Sequence, residues 1–146
     1  MPSARKRAAG DQSLPIYRET IFVDRSLGGA VVPDALRQQG LTVVTMREHY
    51  GEEAGAQMAD VDWIADVGDR GWVAFHKDDN IRRKADEIAA VVAHGLRMFV
   101  ITNGNLVGAV MAQRYLDNLA RISRQARKPG PFIYGVYEGR IDRLHP

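Results

Sequence analysis

Four times along this chain a short apolar, β-prone run is followed by a stretch with helical spacing, and that alternation narrows the folds open to it more than any other feature. The runs are Thr20-Ile21-Phe22-Val23-Asp24, Leu41 to Thr45, Trp72 to His76 and Arg97 to Thr102. Each is nearly continuous in apolar or β-branched character, as strands covered on both faces are. Between the first two, Ala30 to Gln39 carries Val31, Ala35 and Leu36 on one side, with Pro33 near its start and Gly40 as a stop, which predicts a helix. Asp60-Val61-Asp62 opens a second helical stretch, with Val61, Ile64, Ala65 and Val67 in register until Gly68 to Gly71 interrupts it. Asn80 to His94, lined by Ile81, Ala85, Ile88 and Val92 and closed by Gly95, predicts a third. Leu106 to Arg127 predicts the longest, because Leu106, Val110, Met111, Tyr115, Leu119 and Ile122 recur three and four residues apart before Pro129-Gly130-Pro131. Met46 to Ala59 has poor periodicity and reads as a loop with a short helix, and Phe132 to Tyr137 reads as a fifth strand that turns at Glu138-Gly139 into Arg140 to Leu144. Strands alternating with helices call for a three-layer α/β/α domain around a mostly parallel sheet.

With 146 residues, 45% of them hydrophobic and 26% charged, the chain has the size and composition of one globular domain. The absence of Cys excludes a disulfide scaffold, a thiol nucleophile and any Cys-ligated metal, and no two of the 4 His stand at helical ligand spacing. Residues 1–19, rich in Ala, Arg, Lys, Ser and Gly, read as a flexible basic arm preceding a domain at 20–146. Arg5, Lys6 and Arg7 are not followed by the apolar stretch of a signal peptide, and Ile88 to Leu96 is far too short to span a membrane, so a cytoplasmic location is expected.

The formal charge of +2 conceals an asymmetry. Residues 1–20 hold 4 basic and 2 acidic side chains and residues 121–146 hold 6 and 2, which leaves 10 basic against 14 acidic between them. An acidic centre between basic ends suits a metal ion and a polyanion held together, although ordinary surface charge has the same signature.

In open parallel sheets, ligands sit outside the carboxyl ends of the strands. The first strand ends in Asp24, the third runs into Asp78 and Asp79, and the fourth runs into Asn103 and Asn105. If those strands are neighbours, the side chains converge on one crevice, where crowded carboxylates repel one another unless a cation sits among them. Such hard oxygen ligands suit Mg²⁺ or Mn²⁺. Asp60 stands at the N-cap position of its helix and Asp62 in the first turn; the helix dipole accounts for both, and the same helix start can aim one of them into the crevice. Asp66 and Asp69 read as solvated charges. Arg82, Arg83 and Lys84 stack three cations at a helix N-terminus, against its dipole. Either Asp78 and Asp79 or an entering phosphate backbone compensates them. Trp63 and Trp72 read as core residues rather than base-stacking platforms, and His76 as a packed side chain at a strand end.

The order Ile21-Phe22-Val23-Asp24, Ala35-Leu36, Gly40, Val43, Asp60-Val61-Asp62-Trp63-Ile64 and Arg70-Gly71-Trp72-Val73-Ala74-Phe75-His76-Lys77-Asp78 resembles the PIN-like ribonuclease domains, in particular the VapC-type toxin group. The likeness runs from Ile21 to Gly130-Pro131-Phe132-Ile133. It implies a metal-dependent endoribonuclease that hydrolyses RNA phosphodiester bonds, the toxin of a toxin–antitoxin pair, inhibited by an antitoxin protein and forming a homodimer. Carried over by position, it implies Asp24, Asp60 and Asp78 as the catalytic acids that hold Mg²⁺ or Mn²⁺, with Asp79, Asp62, Asn103 and Asn105 in supplementary places. Arg82, Arg83 and Lys84 would then contact the RNA. The chain departs from the pattern in two respects: His76 replaces a small hydroxyl residue, and Asn103 and Asn105 stand where many members carry another acid.

Two other readings compete. Phosphoryl transfer to an aspartate needs an acid pair or Asp-x-Asp after the first strand, and Asp24-Arg25-Ser26 supplies neither. A PIN-like module that binds RNA or protein without cleaving it is compatible with Asn103 and Asn105.

Overall fold

A computed structural model describes residues 12–146. Six strands form one sheet in the order β2-β1-β3-β4-β5-β6: β1 Thr20–Val23, β2 Thr42–Thr45, β3 Val73–Lys77, β4 Arg97–Ile101, β5 Phe132–Tyr137 and β6 Arg140–His145. The first five are parallel and β6 returns antiparallel to β5. Thus β1, β3 and β4 are neighbours, as the strand-end argument requires.

Alternation along the strands sorts the core into two layers. Ile21, Val23, Val73, Phe75, Phe99 and Ile101 face helices α1 (Val31–Gln38), α6 (Gly108–Asp117) and α7 (Leu119–Ala126). Phe22, Ala74, Met98 and Val100 face the other way, onto α4 (Asp60–Arg70) and α5 (Ala85–His94). Two short helices, α2 (Met46–Tyr50) and α3 (Glu52–Gln57), occupy the stretch of poor periodicity. A capping box starts α2: Thr45 accepts from the Glu48 N–H at 3.2 Å and Glu48 accepts from the Thr45 N–H at 2.9 Å.

Several boundaries differ from the sequence expectation for identifiable reasons. The helix expected over Leu106 to Arg127 breaks at Asn118, which leaves helical geometry at φ −100° and ψ 7°. Its buried amide donates to the carbonyls of Arg114 at 2.9 Å and Tyr137 at 2.8 Å, tying the break to the end of β5. The helix expected from Asn80 starts only at Ala85, after a 3₁₀ turn over Ile81–Arg83. In contrast, α4 runs through Gly68 to Arg70 and ends on Gly71, whose left-handed φ of 72° favours glycine. Gly68 is a contact point: a Cβ there would lie 2.7 Å from the His94 carbonyl oxygen, so its absence lets α4 and α5 close together.

Within the segment expected to be a flexible arm, residues 15–19 pack against the domain. Residues 1–11 lie outside the described residues, while Pro15–Arg18 forms a 3₁₀ turn in which Ile16 is fully buried and its N–H donates to Ser123 Oγ at 3.0 Å. Glu19 pairs with Arg97 at 2.6 Å. Burial of one isoleucine was invisible in a segment without periodicity.

Candidate active site at the strand ends

Val23 is the last residue of β1, and the register sets it beside Phe75 of β3, so the residues that follow, Asp24 and His76, emerge together toward the α4 and α5 layer. Asp24 is 1% exposed and His76 2%. The Asp24 carboxylate accepts from the Ser26 N–H at 3.3 Å and from the Ser26 hydroxyl, and Ser26 Oγ accepts from the Lys77 N–H at 2.9 Å. Ser26 therefore pins the loop after β1 to the end of β3. His76 Nδ1 lies 2.9 Å from Asp24 Oδ1. Because a carboxylate can only accept, that nitrogen carries a proton.

Three further acids surround the other side of the imidazole. Asp60 lies in the first turn of α4 rather than at its N-cap, which is Ala59. Its Oδ1 accepts from Trp63 Nε1 at 2.9 Å and stands 3.5 Å from Arg25, so a core tryptophan orients the carboxylate. Asp78 follows β3 and is buried; its carboxylate accepts from the Asn80 N–H at 2.8 Å and from Lys84 Nζ at 2.7 Å. Glu87 sits in the first turn of α5. One ligand atom each from Asp60, His76, Asp78 and Glu87 gather within 4.8 Å of one another.

The electrostatics follow from crowding charges in a half-buried space. Burial pulls the His76 pKa down, but the charge and hydrogen bond of Asp24, with Asp78 and Asp60 nearby, raise it to about 10. Burial pushes the Asp78 carboxyl up, yet His76, Lys84 and the Asn80 N–H hold it well below the usual carboxylate range. Glu87 moves the other way: burial first, then the Asp60 charge, raise it, and Lys84 offsets only part. Among the described residues, two buried side-chain polar atoms have no hydrogen-bond partner, His76 Nε2 and Glu87 Oε1, and both belong to this cluster. Folded proteins rarely leave such atoms orphaned without a reason such as a bound ion. Three carboxylates as hard oxygen donors fit a small divalent cation.

The remaining predicted residues divide. Asp24 is not one of the four groups gathered within 4.8 Å; it sits behind His76. Asp79 is exposed, paired with Lys77 at 3.7 Å and packed against Gly104, and the neighbours of that glycine, Asn103 and Asn105, are exposed. Asp62 is exposed, with its charge felt by Tyr50. The three cations separate. Lys84 binds Asp78, Arg82 borders a hollow with Ile88, Ile133 and Leu144, and Arg83 is exposed. Trp63 is a core residue, as expected, and Trp72 is half-buried with Arg70 over its ring at 5.2 Å. Asp69 is exposed, but Asp66 is not a free surface charge: it accepts from His49 at 3.0 Å, Tyr50 at 2.6 Å and Arg70 at 2.9 Å.

The PIN-like domain family model matches residues 20–103, more than half of the chain. The chain belongs to the PIN-like domain family. The matched span contains Asp24, Asp60, His76, Asp78 and Glu87, and ends before α6. A Mycobacterium tuberculosis protein named "Putative ribonuclease VapC45" is 46% identical over 134 residues, covering 92% of this chain and 97% of its own length. No solved structure matches the chain.

The sequence analysis does not single out Glu87, which the structure brings into the cluster, while His76 is the packed side chain it expects, hydrogen-bonded to Asp24. The available signal for Glu87 was its place nine residues after Asp78, in the acidic pair Asp86-Glu87; a helix drawn from Asn80 put that pair mid-helix, and the true start at Ala85 puts it in the first turn.

Proposed function

We propose that this PIN-like protein is an endoribonuclease that hydrolyses RNA phosphodiester bonds with Mg²⁺ or Mn²⁺, and that it acts as the toxin of a toxin–antitoxin pair in the cytoplasm. The observation that carries the reading is the gathering of the Asp60, Asp78 and Glu87 carboxylates at the carboxyl ends of β1 and β3, with two buried polar atoms left unpartnered. The high identity to a relative named as a ribonuclease supports the same chemistry. An antitoxin partner and a homodimer belong to this reading through the family resemblance alone.

Asp60, Asp78 and Glu87 would hold the ion. When bound, it would supply Lewis-acid polarisation of the phosphodiester and a nucleophile drawn from water at neutral pH. The chain does the rest. Trp63 fixes the Asp60 carboxylate, the Asn80 N–H fixes Asp78, and Asp24 with Ser26 holds His76 in place. Lys84, on a partly exposed side chain, reaches the cluster edge, where it can leave Asp78 and meet a phosphate. Arg83 and the basic ends of the chain add salt-sensitive contacts to the strand.

The test incubates the purified chain with mixed RNA in Mg²⁺, Mn²⁺ or chelator, beside Asp60→Asn and Asp78→Asn. Metal-dependent cleavage lost in both variants is the expected result. RNA binding without cleavage, indifferent to metal and to both substitutions, would replace the nuclease with a binding module.

A further inference from the structure

We infer that His76 is a nitrogen ligand of the metal, oriented by Asp24, and that the site therefore prefers a borderline transition ion such as Mn²⁺ or Co²⁺ to Mg²⁺. This rests on the metal-dependent reading above and adds to it the identity of a fourth ligand and a different job for Asp24.

The geometry supplies each part. His76 is 2% exposed, and its ring cannot swing away. Nδ1 is held by Asp24 at 2.9 Å with Ser26 Oγ 3.2 Å away, and Trp63 stands edge-on to the ring at 5.2 Å between centroids. What remains is Nε2, buried and without a hydrogen-bond partner, on a residue that offers a ligand atom within 4.8 Å of those of Asp60, Asp78 and Glu87. Asp78 Oδ2, at 3.7 Å, is too far to accept from it. Metal-bound histidines characteristically donate their second ring N–H to a carboxylate, which fixes the tautomer and the ring orientation. Asp24, His76 and the open Nε2 reproduce that arrangement. With Nδ1 as the donor, the lone pair of the neutral ring lies on Nε2, where a proton and a metal ion are alternatives. Asp24 is then a positioning residue, separated from the ion by the imidazole ring.

Imidazole changes the choice of metal. Mg²⁺ favours an all-oxygen shell with several waters, whereas nitrogen ligation favours the first-row transition ions. Lys84 Nζ, 2.7 Å from Asp78 Oδ2, competes with the ion for that oxygen; its side chain is 37% exposed, so water can take up the ammonium when an ion binds.

Pulsed electron paramagnetic resonance of the full wild-type chain loaded with Mn²⁺ tests this directly, because a directly bound imidazole couples its ¹⁴N nucleus to the electron spin. A ¹⁴N coupling is expected, together with Mn²⁺ affinity at least about tenfold above that for Mg²⁺ in calorimetry. In His76→Gln the coupling should vanish and the preference collapse, and in Asp24→Asn Mn²⁺ affinity should fall about 10- to 100-fold. Mn²⁺ bound by the wild type without ¹⁴N coupling overturns the inference, whatever the variants do. Cleavage of RNA without that coupling would sink this ligand assignment alone, and coupling without cleavage would sink the nuclease reading alone.

Discussion

Two of the four acids on helix α4 have opposite fates. Asp66 stands at the centre of a closed network in which His49, Tyr50 and Arg70 all donate to its carboxylate. Burial pushes its pKa up, but those three donors outweigh burial and the net shift is downward. Six residues earlier, Asp60 joins Asp78, Glu87 and His76 in a cluster that leaves two buried polar atoms unpartnered. Both places pair histidine with carboxylate. The difference is closure: a polar network that only stabilises satisfies every atom it buries, whereas one kept for a ligand has vacant valences and strains against its own charges.

Breaking the open cluster should have the largest effect. Asp78→Asn is expected to cost about 10²-fold or more in RNA cleavage, the scale seen when one group stabilising transition-state charge is removed. Its melting temperature should fall as well, because the charge that His76, Lys84 and the Asn80 N–H stabilise in the fold has gone. A melting scan beside a cleavage assay separates the two quantities.

The mirror experiment acts on the closed network. Asp66→Ala should cost about 1–3 kcal/mol of stability, since it strips one acceptor from three donors, and should leave cleavage and metal affinity unchanged. The acid's lowered pKa fixes the sign of the pH dependence. A carboxylate with a depressed folded pKa contributes stability above its unfolded value, near 4, and loses it as pH falls through the folded value. Denaturant titrations from about pH 5 down to pH 2 should therefore show wild type converging on Asp66→Ala.

Glu87→Gln sharpens the contrast from the other side. Removing a buried charge whose pKa burial has raised should increase stability at neutral pH by up to about 1 kcal/mol while weakening divalent-ion binding about tenfold. Neutralising a structural acid would instead lower stability and leave metal binding unchanged. The smallest effect is expected at Asp69, which touches His94 on the surface; Asp69→Asn should move stability by less than about 0.5 kcal/mol.

Much of the frame is legible in the sequence. The run of β-prone segments and helices implies a parallel sheet, and its register brings the residues after β1 and β3 to one end. The acids Asp24, Asp60 and Asp78 all surround His76 there. Periodicity conceals the break at Asn118, since Tyr115, Leu119 and Ile122 keep helical spacing across it; only the partner carbonyl of Tyr137, nineteen residues away, accounts for it. Spacing is equally silent about Glu87, which enters the cluster because Ile81–Arg83 winds as a 3₁₀ turn and delays α5. Asp66 reads as solvated in the sequence because its partners His49 and Tyr50 lie on α2, which has no apolar rhythm of its own. In each case a residue's role depends on a neighbour distant in sequence, and local pattern carries no information about it.

Calorimetric titration of the full chain with Mn²⁺, set against Asp60→Asn and Asp78→Asn that melt cooperatively, reaches the central claim most directly. Saturable binding in the wild type, weakened strongly by either substitution, is the predicted result. Wild-type heats indistinguishable from dilution, or binding that both variants retain in full, would contradict it.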